Sequence, residues 1–269
     1  MTAAIIFRIV AAAVIAGLSC AAAGFVLSHL RLTFLGVTMS HAAMSGAVIA
    51  TLLDLSIFGP AFAAALLAAF LIGPLSDRAN LDSNLVMSII FSVTLGVSFM
   101  GIGLAGERRM DMLGLIWGSV LLMPSSDLVI LAVCAAAFLL FLIVMEKEVK
   151  AVLFSRRIAA GSGIAEGMIV YLLLAGSGAV ITASLQAVGG LMLFSLLTNP
   201  VAAAARWFPT FRGCLIGSAM LGAVSSLAGL GLSAWFNLPV GACIVLAGAA
   251  IFVASLIAPG RARPAAGEA

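Results

Sequence analysis

His41 is one of two histidines in a chain of 269 residues. It lies within Phe34-Leu35-Gly36-Val37-Thr38-Met39-Ser40-His41-Ala42-Ala43-Met44-Ser45-Gly46, inside an apolar run from Leu32 to Leu53. An imidazole can bind a metal, carry a proton or bridge two helices. Thr38, Met44 and Ser45 add weaker oxygen and sulfur donors nearby. A histidine at bilayer depth is costly, so it faces a protein interior or a water-filled path. His41 therefore reads as a transient metal contact on a translocation path, with Thr38, Met44 and Ser45 as helpers. An interhelical hydrogen bond is the plainer alternative. His29, beside Arg31 at a span end, reads as an interfacial group.

The rest of the chain offers no catalytic constellation. There is no GxxxxGK[ST] loop for phosphate, no histidine pair at zinc-protease spacing and no GxGxxG. Asp54, Asp77, Asp82, Asp111 and Asp127 all fall at the ends of apolar runs, where charges are solvated. Cys20, Cys134, Cys214 and Cys243 are far apart in apolar runs and read as small core residues. The chain is therefore expected not to be an enzyme and to bind no cofactor of its own.

These residues must be held by a membrane scaffold. The chain is 64% hydrophobic and 9% charged, with mean hydropathy +1.29. A soluble domain carries roughly 25% charged residues. With a net charge of only +3 and no dense basic stripe, nucleic acid is excluded as a partner. A span needs about 20 apolar residues. Uninterrupted runs over 9–30, 32–54, 59–74, 84–105, 128–145, 167–186, 213–236 and 240–258 give eight strong spans. The first imitates a signal peptide, but the apolar run continues to Leu30, so it is expected to remain as a span. A further run over 189–205 contains Asn199-Pro200, which should break or kink the helix and could line a path. The short stretch 112–124 either crosses or is re-entrant.

The expected architecture is thus all-α: a polytopic transmembrane helix bundle with eight to nine spans over residues 1–259. A disordered cytoplasmic tail, 260–269, follows. The only long hydrophilic interruption is 146–166, where Ala159-Ala160-Gly161-Ser162-Gly163 suggests a short helix ending in a glycine turn. Lys and Arg placement puts this loop in the cytoplasm. If 112–124 crosses, the N-terminus is inside as well; if it is re-entrant, the N-terminus is outside. Both arrangements obey the positive-inside rule.

Four blocks, in order along nearly the whole chain, resemble the permease subunits of bacterial zinc, manganese and iron(II) ABC importers. They are Leu30-Arg31 with Phe34-Leu35-Gly36, Ser40-His41-Ala42 and Gly46; the polar loop with Ala159-Ala160-Gly161; Gln186-Ala187-Val188-Gly189-Gly190-Leu191-Met192 through Asn199-Pro200-Val201-Ala202-Ala203; and Gly229-Leu230-Gly231-Leu232-Ser233 with Leu238-Pro239-Val240-Gly241. The resemblance implies the type II importer permease fold in a bacterial inner membrane. It implies a dimer of two permease copies, a separate ABC ATPase dimer that uses ATP, and a periplasmic or lipid-anchored solute-binding protein delivering a divalent metal. The coupling segment would include Arg156, Arg157, Ala160 and Gly161. One position departs from the pattern: the family has an aspartate four residues before the histidine, and this chain has Val37. An i, i+4 pair shares a helix face, so the imidazole keeps its place without its carboxylate. Imidazole suits zinc and oxygen ligands suit manganese, which places zinc ahead of manganese and iron(II). The rival reading is a stand-alone secondary transporter driven by an ion gradient. Such proteins carry buried acidic residues, and this chain has almost none in mid-span.

Overall fold

The computed structural model describes residues 3–106, 112–114, 118, 123–190 and 192–258. The described residues form eleven helices and no strand. These are α1 (Ala3–His29), α2 (Thr33–Leu52), α3 (Phe58–Ala79), α4 (Ser83–Leu104), α5 (Ser125–Val144), α6 (Glu146–Phe154), α7 (Arg156–Gly161), α8 (Glu166–Val188), α9 (Leu193–Trp207), α10 (Phe211–Phe236) and α11 (Val240–Ile257). Eight of them are long and apolar enough to cross a membrane, and they match the eight uninterrupted runs one to one. The tail 260–269 and most of 112–124 lie outside the described residues.

Burial divides the bundle into a centre and a periphery. The apolar windows of α1, α2 and α8 are 72%, 78% and 67% buried, whereas no other candidate span exceeds 39%. Close approach at the centre relies on missing side chains. Gly17 of α1 lies against Gly222 of α10, and Gly24 lies against α9. A Cβ at Gly24 would sit 1.8 Å from the Leu197 carbonyl oxygen.

Two helix boundaries differ from expectation. The third span does not close at Gly73-Pro74; α3 runs through Pro74 to Ala79 and ends at Asn80 in the left-handed region, whose N–H caps the Ser76 carbonyl. Likewise α9 is not broken at Asn199-Pro200, but is continuous from Leu193 to Trp207 with Pro200 inside. Proline deletes one backbone donor. Here neighbouring side chains add local bonds: Thr198 Oγ1 donates to the Phe194 carbonyl at 2.9 Å, and Asn199 Nδ2 donates to Ser195 Oγ at 2.8 Å. The true interruption is upstream. α8 ends at Val188, and Gly189 takes φ 90°, a value that favours glycine.

Contacts at the two ends of the bundle fix its topology. On one face, His29 and Arg31 line a cavity with Lys147, Lys150 and Phe211, so the C-terminal end of α1 lies beside the polar loop. On the other, an Arg8 side-chain N–H donates to the Met123 carbonyl at 3.0 Å, bringing the N-terminal end of α1 beside the start of α5. The tight turns after α1, α2 and α3 make successive helices alternate in direction. Leu104 and Met123 therefore lie on the same face, opposite the loop. Of the two arrangements open in the sequence, this is the one with the N-terminus and the loop on opposite faces. Arg31, Arg78, Lys147, Lys150, Arg156, Arg157, Arg206 and Arg212 share the loop face; among the described residues Arg8 is the exception.

Candidate translocation site

His41 sits in the middle of α2 and is 3% exposed. Its ring meets Phe91 of α4 edge-on, with centroids 4.7 Å apart and planes at 85°. Phe34, two turns earlier on the same face of α2, meets Phe91 as well, at 5.9 Å. Between them, Thr38 Oγ1 donates to the Phe34 carbonyl at 3.2 Å and to the Met87 carbonyl of α4 at 3.3 Å. The α2–α4 contact is thus an aromatic lid over an imidazole, pinned by one hydroxyl. The Nδ1 of His41 is buried and has no hydrogen-bond partner. A buried polar atom left unsatisfied is costly and calls for a reason, such as an ion or a water taken up there.

The other helpers separate. Met44 is fully buried and faces the α8–α9 junction: a Cβ on Gly190 would lie 3.2 Å from its sulfur. The Ser45 hydroxyl donates back to the Ala42 carbonyl at 2.8 Å, leaving its lone pairs available. Val37, where a carboxylate would stand, is half-buried. Among the described residues no group of three or more His, Cys, Asp or Glu could together hold a metal. A hydroxyl and one imidazole make a weak site, which suits a contact made in passing better than a resident ion. Asn199 is not brought to His41. It packs toward α10 and α11, where Gly248 and Ser225 are its neighbours, while Pro200 is buried in the core.

The polar loop folds as two helices. α6 is amphipathic, burying Val149 and Val152. Ser155 then turns the chain, its side chain accepting from the Ile158 N–H at 3.4 Å as the cap of α7. α7 presents Arg156, Arg157, Ile158, Ala160 and Gly161 outward and buries Ala159. Gly163 ends the motif at φ 77°. Of the two arginines, Arg156 lines a cleft of about 330 Å³ with Phe70, Pro74 and Tyr171, at the loop-side ends of α3 and α8. Arg212, at the start of α10, forms a salt bridge with Glu146 at the start of α6. That hydrogen bond holds the Glu146 carboxyl below its ordinary range. Sequence reasoning missed both this tie and Phe91, because neither partner carries a local signal.

Residues 2–259 match the ABC 3 transport family. The chain belongs to that family. It is 26% identical over 248 residues to the manganese import system permease protein ScaB of Streptococcus parasanguinis, covering 92% of this chain and 88% of the relative. It is 28% identical over 241 residues to the manganese transport system membrane protein MntC of Halalkalibacterium halodurans, covering 90% and 82%. Among solved structures it resembles PsaBC from Streptococcus pneumoniae in complex with Fab, with TM-score 0.87 at 25% identity over 94% of this chain and 91% of that one. An inward-facing ABC transporter of metal-chelate type shares the fold alone, with TM-score 0.74 at 16% identity over 93% and 85%. The resemblance read from the four sequence blocks thus holds over nearly the whole chain, and this is a metal ABC importer permease in fold and family.

Proposed function

We propose that this chain is the membrane permease of an ATP-driven importer of a first-row divalent metal ion, working in a bacterial inner membrane. The observation that carries the reading is the buried, unpartnered Nδ1 of His41 under the Phe91 ring, at the position the family resemblance gives to the ion contact. The chain has no phosphate-binding loop, so ATP is used by a separate ATPase dimer. Its docking surface is α7, where Ile158 is 59% exposed beside Arg157, Ala160 and Gly161. An apolar side chain that exposed on a charged cytoplasmic segment favours a protein partner over water. A second copy of the chain completes the path, so that two His41 rings serve one ion, and a solute-binding protein supplies it from the opposite face.

Two cargoes each have an observation in their favour. The lone imidazole without a carboxylate at Val37 favours zinc. The relatives named above are manganese systems, which favours manganese. The deciding experiment is uptake into proteoliposomes holding the chain with its ATPase and binding protein. Zinc, manganese and iron(II) are compared for wild type and His41→Ala. ATP-dependent uptake that collapses in His41→Ala supports the reading and names the cargo. Uptake that survives the substitution keeps the importer and removes His41 from the path. Uptake driven by an ion gradient without the ATPase would overturn the importer in favour of a secondary transporter.

A further inference from the structure

One basic cavity is left unused by the transport reading. It has a volume of about 790 Å³ and opens at the loop face between the end of α1 and α6. Its polar wall is His29, Arg31, Lys147 and Lys150, and its apolar wall includes Leu153, Phe154 and Phe211. Among the described residues no acidic side chain lines it. Glu146 and Glu148 flank Lys147 in sequence without lining the cavity; Glu146 is bonded to Arg212 and also feels the charge of Lys150. The two lysines are three residues apart and so share one face of α6. His29 is fixed by its neighbours: Nδ1 is 2.9 Å from the Phe25 carbonyl oxygen, and the ring lies tilted at 38° against Phe25 with centroids 4.1 Å apart. Nδ1 thereby donates to that carbonyl, which leaves Nε2 as the nitrogen that can meet a ligand.

Three cationic side chains and an imidazole converging on one concavity, with no carboxylate among its described lining residues, call for an anion. The surroundings narrow its class. Ser28, His29 and Phe211 are terminal residues of spanning helices, so the cavity lies at the level where spans leave the membrane. None of its lining residues comes from α7, so it is separate from the proposed ATPase surface. Phe154, 84% exposed, supplies an apolar flank beside the charged wall. A charged headgroup with an acyl body matches both halves, and basic pockets at cytoplasmic span ends recognise such headgroups. We propose that this cavity binds the phosphate headgroup of an acidic phospholipid in the cytoplasmic leaflet. Only the cytoplasmic assignment of the loop face rests on the orientation argued above; the identity of the transported metal does not enter.

The test is native mass spectrometry of the full chain released from detergent. It compares retention of phosphatidylglycerol and of phosphatidylcholine with the same acyl chains. Wild type is expected to prefer phosphatidylglycerol about tenfold, and the double variant Lys147→Ala/Lys150→Ala about twofold or less. Arg78→Ala removes a charge elsewhere on the same face and should keep the wild-type preference. Both lysines are exposed, so folding should survive; Arg31→Ala, also exposed, gives a second reading if it does not. Equal preference in wild type and the double variant, or an equal loss in Arg78→Ala, overturns the site. Displacement of the lipid by inorganic phosphate alone would reassign the cavity to a soluble phosphate compound. Its complete displacement on adding the ATPase would reassign it to a protein contact.

Discussion

The Phe91 ring packs edge-on against His41, and among the described residues Nδ1 has no hydrogen-bond partner. In the proposed role of His41 as an ion contact, Phe91 is the ring that would have to yield for an ion to reach that nitrogen. The chain has two histidines, and His29→Gln leaves His41 alone. In that background, carbethoxylation of His41 should be slow, and Phe91→Ala should speed it several-fold. An unchanged rate would mean that other groups shield the imidazole. Val37→Asp tests the missing ligand. A carboxylate one turn before His41 adds an oxygen donor, and oxygen donors favour manganese over zinc. The zinc-to-manganese ratio of uptake should fall about tenfold, as one charge-assisted ligand would give. That His41 faces the protein interior was legible, because an imidazole in an apolar run is costly to expose to lipid. The separation of Met44 was not, since a methionine three residues away could face either neighbour until the packing of α8 decided it.

Eight apolar runs became eight long helices because hydrocarbon length is written directly in composition. What composition could not show was where a helix stops. Pro74 and Pro200 looked like stops, yet each costs only one backbone bond. The left-handed Asn80 and the extended Gly189 were the true ends. The contact of Gly24 with Leu197 was likewise invisible without knowing that α1 and α9 touch. Gly24→Val should force those helices apart and destabilise the purified chain by about 1–3 kcal/mol, read as a lower melting temperature. Gly96→Ala, with nothing within 4 Å of its Cβ, should leave it unchanged or slightly raised. The Glu146–Arg212 pair ties α6 to α10, and its pH dependence has a definite sign. The Glu146 pKa is lowered from the ordinary 4.5, first by the hydrogen bond from Arg212. A depressed carboxyl contributes its stability above the unfolded value and loses it as pH falls through the folded one. Hydrogen exchange across 146–154 should therefore be flat from pH 5 to 8 once corrected for intrinsic rates. It should rise only below 4.5, and Arg212→Gln should raise it from pH 5 to 8 but converge with wild type once Glu146 is protonated.

For the molecule as a whole, the decisive question was which end of α1 meets the cytoplasm. Counting Lys and Arg left two arrangements because Arg8, Arg31, Arg78, Arg108 and Arg109 exchange sides together when one short segment changes from crossing to re-entrant. Three contacts removed that freedom: Arg8 with Met123, Arg31 in a cavity with Lys147 and Lys150, and Arg212 with Glu146. Each links residues far apart in sequence, so no local pattern could reveal it. With the polar loop inside, the N-terminus is outside, α9 must return the chain inward, and nine passes result. α9 has only 15 residues and spans about 22 Å, shorter than the hydrocarbon core of about 30 Å. It can do so because it is enclosed by α1, α10 and α11 rather than by lipid. This arrangement predicts labelling sides. In a background with Cys20, Cys134, Cys214 and Cys243 replaced by serine or alanine, single cysteines at Arg31, Asp54, Arg78 and Asn237 sample both faces. A membrane-impermeant maleimide applied to intact cells should label the cysteines replacing Asp54 and Asn237. Those replacing Arg31 and Arg78 should react only after the membrane is opened. Labelling of the Arg31 position from outside would invert the first four helices and put an odd number of crossings between Leu104 and Met123, against the geometry of the bundle. The same inversion would carry the basic cavity out of reach of the cytoplasmic leaflet, so this labelling pattern bears on the lipid site as well as on the path.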